Sequence, residues 1–163
     1  VQPVCLLGID PGSRLTGFGI VRDDDRYIQY VSSGCIRMSA TAMPARLQEI
    51  FNNISQLIQR HQPSILAIEK VFMHKNADAA LKLGQARGVA IVAAMQQGLQ
   101  VFEYTPNEIK QAVVGHGHAD KTQVQYMIQR LLHLSAVPQA DAADALAVAL
   151  CHVQTQKFYR YLA

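Results

Sequence analysis

Val4 to Ile9 is an unbroken apolar run, the pattern of a central strand covered on both faces. Pro11-Gly12-Ser13 forces a turn, and Gly17 to Arg22 resumes as a second strand. Tyr27 to Ile36 reads as a third, so the chain opens as an antiparallel meander. Asp23-Asp24-Asp25 predicts a solvated hairpin turn, with a metal site on three consecutive carboxylates as the alternative.

The apolar period then becomes helical. Met43, Leu47, Ile50, Phe51, Ile54, Leu57 and Ile58 form one stripe of an amphipathic helix, which His61-Gln62-Pro63 ends. Ile65 to Ile68 is a short buried strand that ends in Glu69. A second long helix runs from about Asp78 to Gln97. It is apolar on every side from Val89 to Met95, which predicts packing on the sheet and on something else. Gln100 to Tyr104 is a fifth strand.

Thr105, Pro106 and Glu108 stand at N-cap, N1 and N3 of a short helix closed by Gly115, a complete capping box. A Gly-His-Gly-His loop follows, Asp120 caps a helix through about His133, and a last helix runs from near Gln139 to Gln154. Three strands followed by alternating helix and strand predict an α/β fold, a mixed five-stranded sheet flanked by helices.

With 163 residues the chain reads as one domain, 1–155, followed by a short tail at 156–163. Hydrophobic residues make up 50% and Trp is absent, the composition of an ordinary globular protein. A net charge of +3 permits a phosphate-bearing partner without demanding one. Cys5, Cys35 and Cys151 are an odd set, two of them within apolar runs, as expected of reduced thiols in the cytoplasm. No stretch is long and apolar enough to span a bilayer, so no membrane is expected to be involved.

Two strands that read as buried end in carboxylates, Asp10 and Glu69. An unpaired buried charge is costly, and ligands bind at the ends of central strands in sheets of this kind. Turn capping by Asp10 and a plain strand end at Glu69 are the simpler readings of each alone. "PQADAADALAVAL" adds Asp141 and Asp144, three apart at the start of an otherwise apolar helix and so on one side of it. Repulsion between them calls for a cation, and N-terminal charge bias does not account for Asp144 among apolar neighbours. Four carboxylates make an all-oxygen set that suits Mg²⁺ or Mn²⁺ rather than zinc. Two such ions about 3.5–4 Å apart serve in-line displacement at a phosphodiester, one generating the nucleophile and the other stabilising the leaving oxygen.

The segments "GIDPGSRLTGFG", "AIEKVFMHKNADAALKLGQARG", "IKQAVVGHGHADKTQVQ" and "PQADAADALA" closely resemble the RuvC family of bacterial Holliday junction resolvases. The likeness runs from about Leu6 to His152. It implies an RNase H-like fold, a homodimer, a partnership with the RuvA–RuvB branch-migration complex, and Mg²⁺-dependent nicking of opposed strands of a four-way DNA junction, with Mn²⁺ as a substitute ion. By position, Asp10, Glu69, Asp141 and Asp144 match the family's catalytic acidic residues. Some relatives have His at the position of Asp141, which leaves metal binding and water orientation both open there. Lys110 and Lys121 match lysines near the DNA backbone, and Phe72 matches an aromatic that contacts bases at the crossover.

Phe72 lies among Lys70, His74 and Lys75, and an exposed aromatic among cations suits base stacking beside phosphate contacts, with plain core as the alternative. Lys75 joins the expected DNA contacts. His116 and His118 read either as metal ligands or as surface residues. The excess apolar surface of the second long helix is the expected dimer interface, with Ala79, Leu83, Ala86, Ala90 and Ala94 as a small-residue strip.

The opening segment alone also resembles the first phosphate loop of actin-like ATPases and sugar kinases, but no second lobe or second Gly-rich loop is present. A non-catalytic junction-binding module has no need of four carboxylates, because they oppose phosphate binding. An RNase H-like nuclease for another nucleic-acid substrate differs only in substrate preference.

Overall fold

The computed structural model describes residues 2–72 and 76–162. Five strands, β1 (Val4–Asp10), β2 (Leu15–Asp23), β3 (Ile28–Arg37), β4 (Ile65–Glu69) and β5 (Gln100–Tyr104), form one sheet in the order β3-β2-β1-β4-β5. The first three pair antiparallel, whereas β1, β4 and β5 run parallel. The helices are α1 (Met43–His61), α2 (Ala77–Gln96), α3 (Pro106–Val114), α4 (Lys121–Leu131) and α5 (Ala140–Leu162).

Strand alternation sorts the apolar runs into two cores. Leu7, Ile9, Ile20, Leu66 and Ile68 pack with α1 and α2 on one face. Leu6, Val21 and Ala67 pack with α3, α4 and α5 on the other. Because both faces are covered, β1 reads as a solid apolar run. The same alternation puts Gly8, Asp10 and Glu69 on the α5 side.

Local chemistry sets most element ends. Gln62 takes a left-handed conformation after α1, and Pro63 follows it. Thr105 and Glu108 form the expected capping box on α3, and Asp120 and Gln123 form a second one on α4; each cap is worth ~1 kcal/mol. The three consecutive aspartates lie at the β2–β3 turn, where Asp24 Oδ1 accepts the backbone N–H groups of Arg26 and Tyr27. They belong to no metal-ligating group among the described residues.

Three differences from the sequence reading have physical causes. α4 stops at Leu131, two residues short, where His133 turns left-handed at φ 52°. α5 runs on to Leu162, so residues 156–162 continue the helix. Lys157 Nζ lies 2.9 Å from Asp23 Oδ1, and Arg160 pairs with Asp25, which ties the last turns to the β2–β3 hairpin.

The third difference concerns α2. Ala86, Ala90 and Ala94 are fully buried within the chain, against α1 and the sheet, and Leu83 is half-buried. Those three alanines therefore cannot be the face offered to a second copy. Leu81, Val92 and Met95 project from the opposite side at 70%, 56% and 58% exposure. Gly84 and Gly88 lie between them, with open space where their β-carbons would be. Both sides of α2 are apolar and small, so periodicity alone could not say which side meets the sheet.

Candidate active site

β1 and β4 are parallel neighbours, with Ile9 beside Ile68 in register. Asp10 and Glu69 are the next residues on each, so they leave the sheet side by side at the same end, about 4.8 Å apart at the backbone. Behind Asp10 the turn is buttoned by Thr16, which is fully buried. Its hydroxyl donates to the Gly12 carbonyl at 2.8 Å and accepts the Gly12 N–H at 3.2 Å.

The other two carboxylates arrive on α5, seated directly on a patch of glycines. Gly17 is paired with Asp10, and Gly19 with Gly8, so three of four adjoining positions on this face lack a side chain. A β-carbon at Gly8 would collide with the Ala145 carbonyl, and one at Gly17 with the Asp141 carbonyl. At Gly19 it would lie 2.7 Å from the Leu146 side chain. The fourth position is Asp10 itself. The bare patch lets the start of α5 approach the sheet closely enough to set Asp141 and Asp144 beside Asp10.

Ligand oxygens of Asp10, Asp141 and Asp144 all lie within 4.8 Å of one another, and among the described residues no other group of acidic, His or Cys side chains is that close. Glu69 falls outside this trio but lines the same cleft of about 290 Å³, with Asp10, Asp144, Lys110 and Lys121. A second hollow shares Asp10, Glu69 and Pro106 with it and leads to Phe72, which is 56% exposed. Lys75 and His74 lie outside the described residues. His116 and His118 are exposed and join no metal-ligating group among the described residues. Their loop folds tightly onto α3, since a β-carbon at Gly117 would strike the Asn107 amide.

The electrostatics show a site built for positive charge. Burial, then the charges of Asp144, Glu69 and Asp141, push the Asp10 carboxyl up to about 8, against a partial offset from Lys121. Burial and Asp144 likewise raise Glu69, while Lys110 and Lys121 pull it down. Asp144 is raised chiefly by burial. The donors are all carboxylate oxygens, which fit hard divalent cations. Ion binding would offset both the burial and the neighbouring negative charge that raise Asp10.

A pH dependence follows. Between the ordinary aspartate value of 3.8 and about 8, native Asp10 holds a proton that the unfolded chain releases. Without a cation this group therefore costs stability progressively as pH rises through that window. In EDTA, Asp10→Asn is expected to raise the melting temperature relative to wild type at pH 8, by ~2–4 °C for each kcal/mol relieved, and to change it little at pH 4. Mg²⁺ should stabilise wild type at pH 8 more than the variant. A variant–wild-type difference that stays constant across this pH range would show that Asp10 ionises as freely in the native state as in the unfolded one.

Sequence reasoning missed the glycine seat and Arg87. The Arg87 Nε donates to the Glu69 carbonyl at 2.9 Å, and its guanidinium pairs with Glu103 on β5. Arg87 thus fixes the backbone from which Glu69 projects. Its only sequence signal was a cation just before the fully apolar stretch of the helix.

A family model described as crossover junction endodeoxyribonuclease RuvC matches residues 6–152. The curated RuvC proteins of Vibrio parahaemolyticus and Pseudoalteromonas atlantica are 59% and 60% identical over 152 residues, 93% of this chain and 88% of each relative. Thermus thermophilus RuvC, solved in complex with Holliday junction substrate, superposes with a TM-score of 0.89 and 31% identity over 96% of either chain. A yeast mitochondrial Holliday junction resolvase superposes with a TM-score of 0.68 at 12% identity, over 96% of this chain and 82% of its own, a likeness of fold alone. The architecture is RNase H-like.

Proposed function

This chain belongs to the RuvC family of crossover junction endodeoxyribonucleases, and we propose that it resolves Holliday junctions by two symmetric, metal-dependent nicks in opposed strands. The observation that carries this reading is the carboxylate trio within 4.8 Å, with Glu69 and two lysines in the same cleft. Asp10, Glu69, Asp141 and Asp144 hold Mg²⁺, with Mn²⁺ as a substitute. When bound, such ions polarise the scissile phosphate and acidify an attacking water. Lys110 and Lys121 bring positive charge to the rim of an acidic cleft, where an approaching phosphodiester needs it. Phe72 offers a face on which an unpaired base at the crossover can stack. Glu69 keeps its direction through the hydrogen bond from Arg87 to its carbonyl.

Two cuts in opposed strands call for two sites related by a two-fold axis. The face of α2 carrying Leu81, Gly84, Gly88, Val92 and Met95 is the isologous contact that supplies the axis. Val92→Glu, a charge placed in the middle of that stripe, is expected to weaken the dimer by ~100-fold or more. Sedimentation or mass photometry across a dilution series reads this, and an unshifted dimer would move the contact elsewhere. The enzyme works in the cytoplasm, in recombination and repair, alongside the RuvA–RuvB branch-migration complex.

The deciding experiment is cleavage of an end-labelled four-way junction, with duplex and RNA–DNA hybrid as controls, in Mg²⁺ and in EDTA. Paired, religatable, metal-dependent nicks at symmetric positions are expected. Preferential cutting of the hybrid would keep the metal site and replace the substrate.

A further inference from the structure

α4 joins the cleft to a surface that the chemistry described above does not use. Lys121, its first residue, lines the cleft. Val124 and Ile128 turn the inner side of the helix into the core that α5 shares. Gln125 Nε2 donates to the Pro138 carbonyl at 3.1 Å, and Gln129 Nε2 to the Leu134 carbonyl at 3.4 Å. These bonds lash the segment returning to α5 along one flank. The outer side of α4 stays open. There Tyr126, Gln129, Arg130, His133 and Leu134 line a shallow hollow of about 530 Å³.

Helical spacing brings the polar groups of this hollow together. Arg130 is four residues after Tyr126 and His133 three after Arg130, so they share one side of the helix and its end. All three are exposed, Tyr126 at 52%. Arg130 Cζ lies 5.7 Å from the centre of the Tyr126 ring, and its Nη1 donates to the Tyr126 hydroxyl at 3.0 Å. The ring thereby holds the guanidinium still and leaves most of its donors free. Among the described residues no carboxylate pairs with Arg130. No Asp or Glu occurs between Asp120 and Asp141. A fixed cation without a counter-ion, beside an imidazole and an amide, suits a phosphate, whose non-bridging oxygens a guanidinium grips in bidentate fashion. The aromatic ring offers apolar surface to the adjoining sugar. Position along α4 sets the distance from the cut. Arg130 is nine residues beyond Lys121, which is ~13 Å at the helical rise. At ~3.4 Å of axial rise per nucleotide, with the winding of the strand in addition, the span is about two to four nucleotides.

We propose that this side of α4 is a second DNA-backbone contact, which takes a phosphate of the junction arm about two to four nucleotides from the scissile bond. The proposal rests on the junction-resolving reading above. An acidic protein surface would satisfy the same cation. DNA is favoured because the hollow continues, on one helix, from the lysine that meets the substrate in the cleft.

The test uses four-way junctions in which single linkages are replaced by neutral methylphosphonates, at successive positions away from the mapped cut, with binding measured in EDTA. Wild type is expected to lose about tenfold in affinity when the neutral linkage falls two to four nucleotides from the cut. Arg130→Gln should bind the unmodified junction about tenfold more weakly, lower the salt slope by about one, and be insensitive to the neutral linkage. Arg130→Lys should recover part of the loss, which excludes misfolding as its cause. Arg26→Gln makes the same charge change at the exposed β2–β3 turn and should bind like wild type. An Arg130→Gln variant that binds like wild type overturns the proposal and leaves the hollow to an acidic protein partner. So does one that keeps the linkage effect. Equal losses in Arg130→Gln and Arg26→Gln overturn it too, by reducing the effect to net charge. If wild type itself fails to prefer the junction over duplex, the resolvase reading falls first and the arm contact with it.

Discussion

Asp10→Asn is expected to lower the cleavage rate by about 1,000-fold while junction binding persists. Asn keeps the shape of the side chain but removes a charged oxygen donor from the trio with Asp141 and Asp144. Loss of a ligand that holds a Lewis acid costs several kcal/mol of transition-state stabilisation, and ~4 kcal/mol is about three orders of magnitude. Binding should survive and even tighten, because one fewer negative charge faces the phosphates in a cleft where Lys110 and Lys121 are the cations. Single-turnover cleavage beside fluorescence anisotropy separates the two effects. Cutting at close to the wild-type rate would remove Asp10 from the metal cluster and with it the two-ion reading.

The second large effect is expected from a residue with no side chain. Gly17→Ala places a methyl group where the carbonyl of Asp141 already lies. The obstacle is helix backbone, so a side-chain rotation cannot clear it, and the first turn of α5 has to move. Overpacking of this kind costs ~1–3 kcal/mol of stability. A displacement of ~1 Å at a reacting centre costs about 100-fold in rate. We expect cleavage to fall by about that factor in a variant that is still folded at 25 °C. Cleavage rates beside thermal melts check this. An Ala variant as fast and as stable as wild type would mean that α5 does not depend on the bare patch for its seat.

Much of this architecture was legible because single residues dominate their surroundings. A carboxylate that closes an apolar strand, as Asp10 and Glu69 do, has few structural explanations. The pair at 141 and 144 is readable because only helical spacing brings two such residues to one side. β5 was placed at its observed limits by its flanks, a left-handed Gly98 before it and the α3 cap after it. What could not be read depends on partners distant in sequence. The role of Gly17 exists only through its register with Asp10 and the passage of α5 above both. The orientation of α2 was undetermined because Ala86 and Gly88 are equally small. Whether a stripe is core or contact is decided by α1, not by α2 itself. The last turns of α5 were missed because Gln154, Gln156 and Lys157 abandon the apolar stripe. Ion pairs to the hairpin, rather than burial, hold that segment in helical form.

From Ala142 to Val153, every residue of α5 except Asp144 is buried. The helix that delivers half of the carboxylates is thus also the central post of one core. That stretch of the helix cannot fray on its own, because releasing it exposes the inner face of the sheet. Amide exchange at Leu146–Leu150 should therefore proceed only through global unfolding. In the wild-type protein Asp144 therefore keeps its place until this core opens.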